Sequence, residues 1–134
     1  QSVKGMTAAE ATCKEGGVII DVSACSDGHG GEDFYNTLKD AADIQKAMDD
    51  ILARGGNETV FDQWESQILL RMLLKYTIIM VTEAPKDMVE AMHMKYAASI
   101  DEALAMAKAI VTAKGVSEPK ITVIPDGVSV IVKE

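Results

Sequence analysis

Positive charge, aromatic rings and cysteine are all scarce in this chain of 134 residues. Thirteen Lys and Arg stand against twenty-one Asp and Glu, for a net charge of −8, and no run of five like charges occurs. That balance excludes the clustered-cation footprint of a nucleic-acid surface, and no polybasic anchor for a membrane is present. Aromatic residues make up 4% of the chain, so the core must be built from Ile, Val, Leu, Ala and eight Met. The only two cysteines, Cys13 and Cys25, form no CxxC pair and lack the density of a disulfide scaffold. Reduced thiols in a cytoplasmic protein are the expectation. No signal peptide and no apolar run of spanning length is seen, so no membrane partner is expected. The length suits one domain that needs neither disulfide nor metal as a staple. The sequence starts at Gln1 rather than Met and is expected to be a fragment of a longer protein.

What is present is most informative between Gly16 and Tyr35. The β-branched run Val18-Ile19-Ile20-Asp21-Val22-Ser23-Ala24 gives way to Cys25-Ser26-Asp27-Gly28-His29-Gly30-Gly31, then to Glu32-Asp33-Phe34-Tyr35. That order is a strand, a glycine-rich turn and a helix start. In open α/β sheets, ligands collect at the carboxyl ends of strands, where this turn lies.

Elsewhere the periodicities are clear. Helix formers over 2–14 stop at Gly16-Gly17. Phe34, Leu38, Ala41, Ile44, Met48, Ile51 and Leu52 recur at three- and four-residue steps, with a break near Asp40. A third helix carries Phe61, Trp64, Ile68, Met72 and Leu73 on one side. The run 76–81 is continuously apolar, as in a strand buried on both faces. Pro85 opens a short helix through Met92, and 95–98 is a weak strand. Ser99 and Glu102 form a capping box for a helix ending at Gly115. Two β-rich runs, 121–124 and 128–132, flank the turn sequence Pro125-Asp126-Gly127. The fold class is therefore α/β: a three-layer domain with a mostly parallel sheet flanked by helices. The runs 18–24 and 76–81 are its central strands, and the last run is free to turn back as an antiparallel edge.

Several residues invite a chemical role, each beside a plainer one. The loop 26–31 lacks the Gly-Lys-Ser/Thr ending of a P-loop and the GxGxxG spacing of a dinucleotide site. Its amides can still face an anion at a helix start, or its glycines can simply serve a tight turn. His29 has no Asp, Glu or His partner at ligand spacing, and His93 lies far off between Met92 and Met94. Met88, Met92 and Met94 read as flexible packing. Trp64, the only tryptophan, fits the buried stripe or a pocket edge. On their chemistry alone, Gln1 and Lys4 are ordinary solvated residues.

Read in order, these segments resemble the C-terminal domain of the nickel-pincer lactate racemase family, whose members racemise or epimerise 2-hydroxy acids. The resemblance spans the chain. It rests on Gln1-Ser2-Val3-Lys4-Gly5, on Lys14-Glu15-Gly16-Gly17, on Cys25 to Gly31 leading to Phe34-Tyr35, on Gln63-Trp64, and on Ile124-Pro125-Asp126-Gly127-Val128. The resemblance implies that Gln1 and Lys4 project into an interdomain cleft, with Lys4 gripping the substrate carboxylate and Trp64 near the same pocket. It implies a hydride abstracted and returned on a nickel-pincer nucleotide. That cofactor, its metal ligands and the catalytic histidines would belong to an N-terminal domain that precedes this chain. No catalytic or metal-binding residue is then expected here, and the isolated chain should be inactive. A stand-alone nucleotide- or anion-binding module and a non-catalytic assembly domain remain the competing readings. The sequence leaves the particular 2-hydroxy acid and the oligomeric state open.

Overall fold

The computed structural model describes residues 1–133. Nine elements follow in chain order: α1 (Ser2–Glu10), β1 (Val18–Val22), α2 (Glu32–Lys39), α3 (Ile44–Leu52), α4 (Gln63–Lys75), β2 (Thr77–Val81), α5 (Lys86–Ala91), β3 (Lys95–Ala97) and α6 (Ile100–Ala113). The three strands are parallel, in the order β1-β2-β3. Val18 pairs with Thr77 and Val22 with Val81, while Ile79 pairs with Lys95 and Val81 with Ala97.

Alternation along the strands feeds two cores, because successive side chains point to opposite faces. Ile19, Ile78 and Met80 point into the larger core with Val3, Met6, Leu38, Leu69 and Met72. Ile79 and Ala97 face Ala103 on α6, with Val18, Ile20, Val81 and Ile110 packed around them. Helix α6 thus covers one face and the other helices cover the opposite one, giving three layers as expected for an α/β domain. Ser99 caps α6 by accepting from the Glu102 amide, and the Glu102 carboxylate accepts from the Ala98 amide. The break expected near Asp40 separates α2 from α3, which Asp43 caps through the Lys46 amide.

Several expectations need correction. β2 is the central strand, but β1 is an edge strand of this sheet, and it ends at Val22 rather than Ala24. Cys25 takes a left-handed φ of 53°, which turns the chain away from the sheet soon afterwards. Helix α1 stops at Glu10 instead of 14: turns closed at Thr12 and Cys13 lead to Gly16, whose amide donates to the Lys75 carbonyl. The weak strand ends at Ala97, where the Ala98 amide is taken by the cap of α6.

The runs 121–124 and 128–132 form no strand among the described residues, so no antiparallel edge strand is present. Ile121, Val123, Val128 and Ile131 are exposed. The turn between these runs packs against α1 rather than laying two strands beside β1. At Gly127 a Cβ would lie 2.8 Å from the Gly5 carbonyl oxygen and 3.1 Å from the Gly5 Cα. Backbone cannot yield as a flexible side chain can. Gly127→Ala is therefore expected to cost about 1–3 kcal/mol of stability, the usual range for overpacking. Chemical denaturation measures it, and an unchanged midpoint would show that the contact is not rigid.

Candidate functional site

The carboxyl end of β1 and the first turn of α1 meet at one edge of the sheet. Val3 and Met6 on α1 are buried in the main core. A helix advances about 100° per residue, so burying positions 3 and 6 turns positions 1 and 4 toward the opposite side. Gln1 occupies the N-cap, its carbonyl accepting from the Gly5 amide, while its side chain makes no cap bond. Lys4 Nζ instead donates to Gln1 Oε1 at 3.4 Å.

Helix α4 supplies the third member. Lys4 Nζ lies 5.4 Å from the centroid of the Trp64 ring, within reach of a cation–π interaction. Trp64 is 50% exposed, so its place on the apolar stripe of the sequence did not make it a core residue. It stands in the first turn of α4, where the chain has just left Asp62 with a left-handed φ of 54°. Phe61, also expected on that stripe, lies before the helix and is exposed. Farther along, Arg71 clamps Glu10 through Nε–Oε1 at 3.0 Å and Nη2–Oε2 at 2.6 Å, which sets α1 against α4. Residues far apart in the chain are thereby gathered into one exposed group of amide, ammonium and indole.

Beneath them lies a polar cluster that sequence reasoning passed over. Ser23 Oγ donates to Asp21 Oδ2 at 2.5 Å, and Ser2 Oγ lies 2.8 Å from Ser23 Oγ. Cys25 Sγ is 3.4 Å from Ser23 Oγ and 3.5 Å from Ser2 Oγ. The one signal available was an acidic residue within an otherwise apolar strand run.

The glycine loop behaves as a turn. Cys25, Gly28 and Gly30 all have positive φ, and the Gly28 amide donates to the Cys25 carbonyl. Gly31, the N-cap of α2, is faced by the Asp62 carboxylate: a Cβ on Gly31 would lie 2.5 Å from Asp62 Oδ2. A carboxylate already stands beside that helix start, which weighs against an anion there. His29 stacks on Tyr35 at 4.4 Å between centroids, and its Nε2 is 3.6 Å from Glu32 Oε1. His93 Nε2 is 2.9 Å from the Leu38 carbonyl oxygen and joins the end of α5 to α2. Met88, Met92 and Met94 belong to the main core. Among the described residues, no three His, Cys, Asp or Glu side chains converge as a metal-donor set. These residues therefore offer no donor set for a nickel centre. No helix among them is long and apolar enough to cross a membrane.

Residues 1–132 match the family described as the lactate racemase C-terminal domain. The chain belongs to that family. It is 53% identical to a lactate racemase of Thermoanaerobacterium thermosaccharolyticum over 135 residues, covering all of this chain and 31% of that protein. It is 46% identical to a lactate racemase of Lactiplantibacillus plantarum, covering 99% of this chain and 31% of that protein. The solved apoprotein of the Thermoanaerobacterium thermosaccharolyticum lactate racemase superposes with a TM-score of 0.92 at 53% identity, covering 98% of this chain and 31% of that one. The chain thus spans about a third of the length of the curated relatives it matches.

Asp21 gives the domain a readable pH signature. Burial pushes its carboxyl above the ordinary 3.8, against the Ser23 hydrogen bond that pulls it down. A carboxyl raised in the folded state holds its proton more tightly there than when unfolded. Its stabilising contribution is full below the unfolded value and is lost as pH rises through the folded value. Asp21→Asn, which cannot ionise, is expected to gain stability relative to the parent as pH climbs from about 3 to 7. Urea denaturation across that range measures the difference, and a difference that does not change with pH would contradict it.

Proposed function

We propose that this chain is the substrate-orienting domain of a 2-hydroxy acid racemase or epimerase. The observation that carries the reading is the convergence of Gln1, Lys4 and Trp64: Lys4 Nζ lies 3.4 Å from Gln1 Oε1 and 5.4 Å from the Trp64 ring centroid. An ammonium is the right partner for a carboxylate, since a charge-assisted hydrogen bond fixes the acid and balances its charge. Gln1 can donate and accept, which suits an oxygen that alternates between hydroxyl and keto forms. Trp64 flanks the ammonium with an apolar wall and limits the directions in which it can swing.

On this reading the domain contributes orientation and charge balance. The nickel-pincer nucleotide, which supplies hydride-accepting chemistry when bound, belongs with its ligands to a preceding domain of the same protein. That domain is also the proposed partner. The exposed, β-rich segment that carries Ile121, Val123, Val128 and Ile131 offers apolar surface for it. The preferred acid depends on both domains, so lactate is one member of the class proposed here. The protein is read as cytoplasmic because both of its cysteines are unpaired.

The test uses the full-length racemase that contains this domain. Lys4→Ala is expected to lower kcat/KM by one to two decades, since a hydrogen bond to a charged group contributes roughly 1.5–3 kcal/mol. Its melting temperature should hardly change, because Lys4 lies outside the buried core. Lys4→Arg should recover part of the activity, restoring charge without the geometry. Full racemisation by Lys4→Ala would overturn the assignment, and lost activity with a collapsed melting temperature would make Lys4 structural.

A further inference from the structure

We infer that Asp21, Ser23 and Ser2 form a hydrogen-bonded brace that positions the first turn of α1, and with it Gln1 and Lys4, for substrate. The inference rests on the reading of Lys4 and Gln1 given above. It adds three positioning residues from the end of the sheet and the helix start.

The first turn of α1 has few anchors of its own. The opening amides of a helix lack intrahelical partners and are usually held by a side-chain cap. Gln1 makes no such cap, and Gly5 places the most flexible residue type at the fifth position. Yet this turn carries Lys4, which meets the ring of α4, and Gln1, which meets Lys4. Besides Val3, Met6 and the Gly127 turn packed on Gly5, it is held by Ser2, which sits between Gln1 and Val3 and reaches down to the residues at the end of β1.

The chemistry gives the brace a direction. An ionised carboxylate only accepts, so Ser23 must spend its single proton on Asp21. The lone pairs of Ser23 Oγ then receive the Ser2 hydroxyl at 2.8 Å. Cys25 Sγ, within 3.5 Å of both hydroxyls, closes the far side of the cluster. Asp21 Oδ1 lies under the helix, at ordinary van der Waals distance, 3.9 Å, from where a Cβ on Gly5 would stand. The cluster is partly buried, where hydrogen bonds resist exchange with water. Each link therefore narrows the orientations open to Gln1 and Lys4.

A double-mutant cycle in the full-length racemase separates positioning from general stability. Ser23→Ala is expected to lower kcat/KM about three- to tenfold, the scale of one lost neutral hydrogen bond. Ser23→Thr, which keeps the hydroxyl, should restore it. Because Ser23 acts through Lys4 as well as Gln1, the double variant Lys4→Ala/Ser23→Ala loses less than the product of the two single losses. Losses that multiply, or full activity in Ser23→Ala, would overturn the brace and leave the role of Lys4 standing. Full activity in Lys4→Ala would instead overturn the reading beneath both. Should Ser23→Ala fail to fold, Ser2→Ala, at the partly exposed start of the helix, runs the same cycle with the same outcomes.

Discussion

The candidate site depends on one packing constraint, the burial of Val3 and Met6 between the sheet and the helices on its main face. Burying such side chains contributes about 1.5–3 kcal/mol each, more than any surface contact of α1 can offset. Because the helical repeat is fixed, that burial also decides where Gln1 and Lys4 point. The Arg71–Glu10 clamp then sets α1 against α4, and the first turn of α4 brings Trp64 to Lys4. Core packing and the edge that carries the candidate site are therefore two sides of one helix.

The two faces of the sheet have different tasks. Helix α6 covers the face built on Ile79 and Ala97 and carries none of the candidate site residues. The opposite face holds the larger core, rich in Met and Leu, and every residue of the candidate site lies along its β1 edge. A chain with so few aromatics that leaves its only tryptophan half exposed gives up burial of its largest apolar side chain. That loss is understandable if the ring has a partner outside the core, and Lys4 is one such partner. The net charge of −8 makes a cation at this edge more distinctive still.

Much of the fold was legible because its signals are local. The continuous apolar run of β2, the capping box of α6 and the break near Asp40 each reside within a few neighbouring residues. What escaped depends on distant contacts. The edge position of β1 follows from what fails to pair beside it, and the β-rich runs near the C-terminus look like strands until the Gly127–Gly5 contact is seen. Trp64 has the spacing of a core residue, and only the start of α4 places it outside. Gln1 and Lys4 were legible solely through their resemblance to a family pattern, since a polar pair three apart at a helix start is commonplace. Asp21 and Ser23 were not singled out at all, because a two-residue polar step in a strand says nothing until Ser2 arrives from another element.

The role proposed for Gln1, Lys4 and Trp64 is to face the carboxylate of a 2-hydroxy acid. A crystal structure of the full-length protein that contains this domain, with such an acid bound, is the test. A carboxylate oxygen is expected about 2.7–3.2 Å from Lys4 Nζ, with the Gln1 amide beside the acid and the Trp64 ring along the ammonium. A carboxylate held elsewhere, with this edge of α1 turned to solvent, would contradict it.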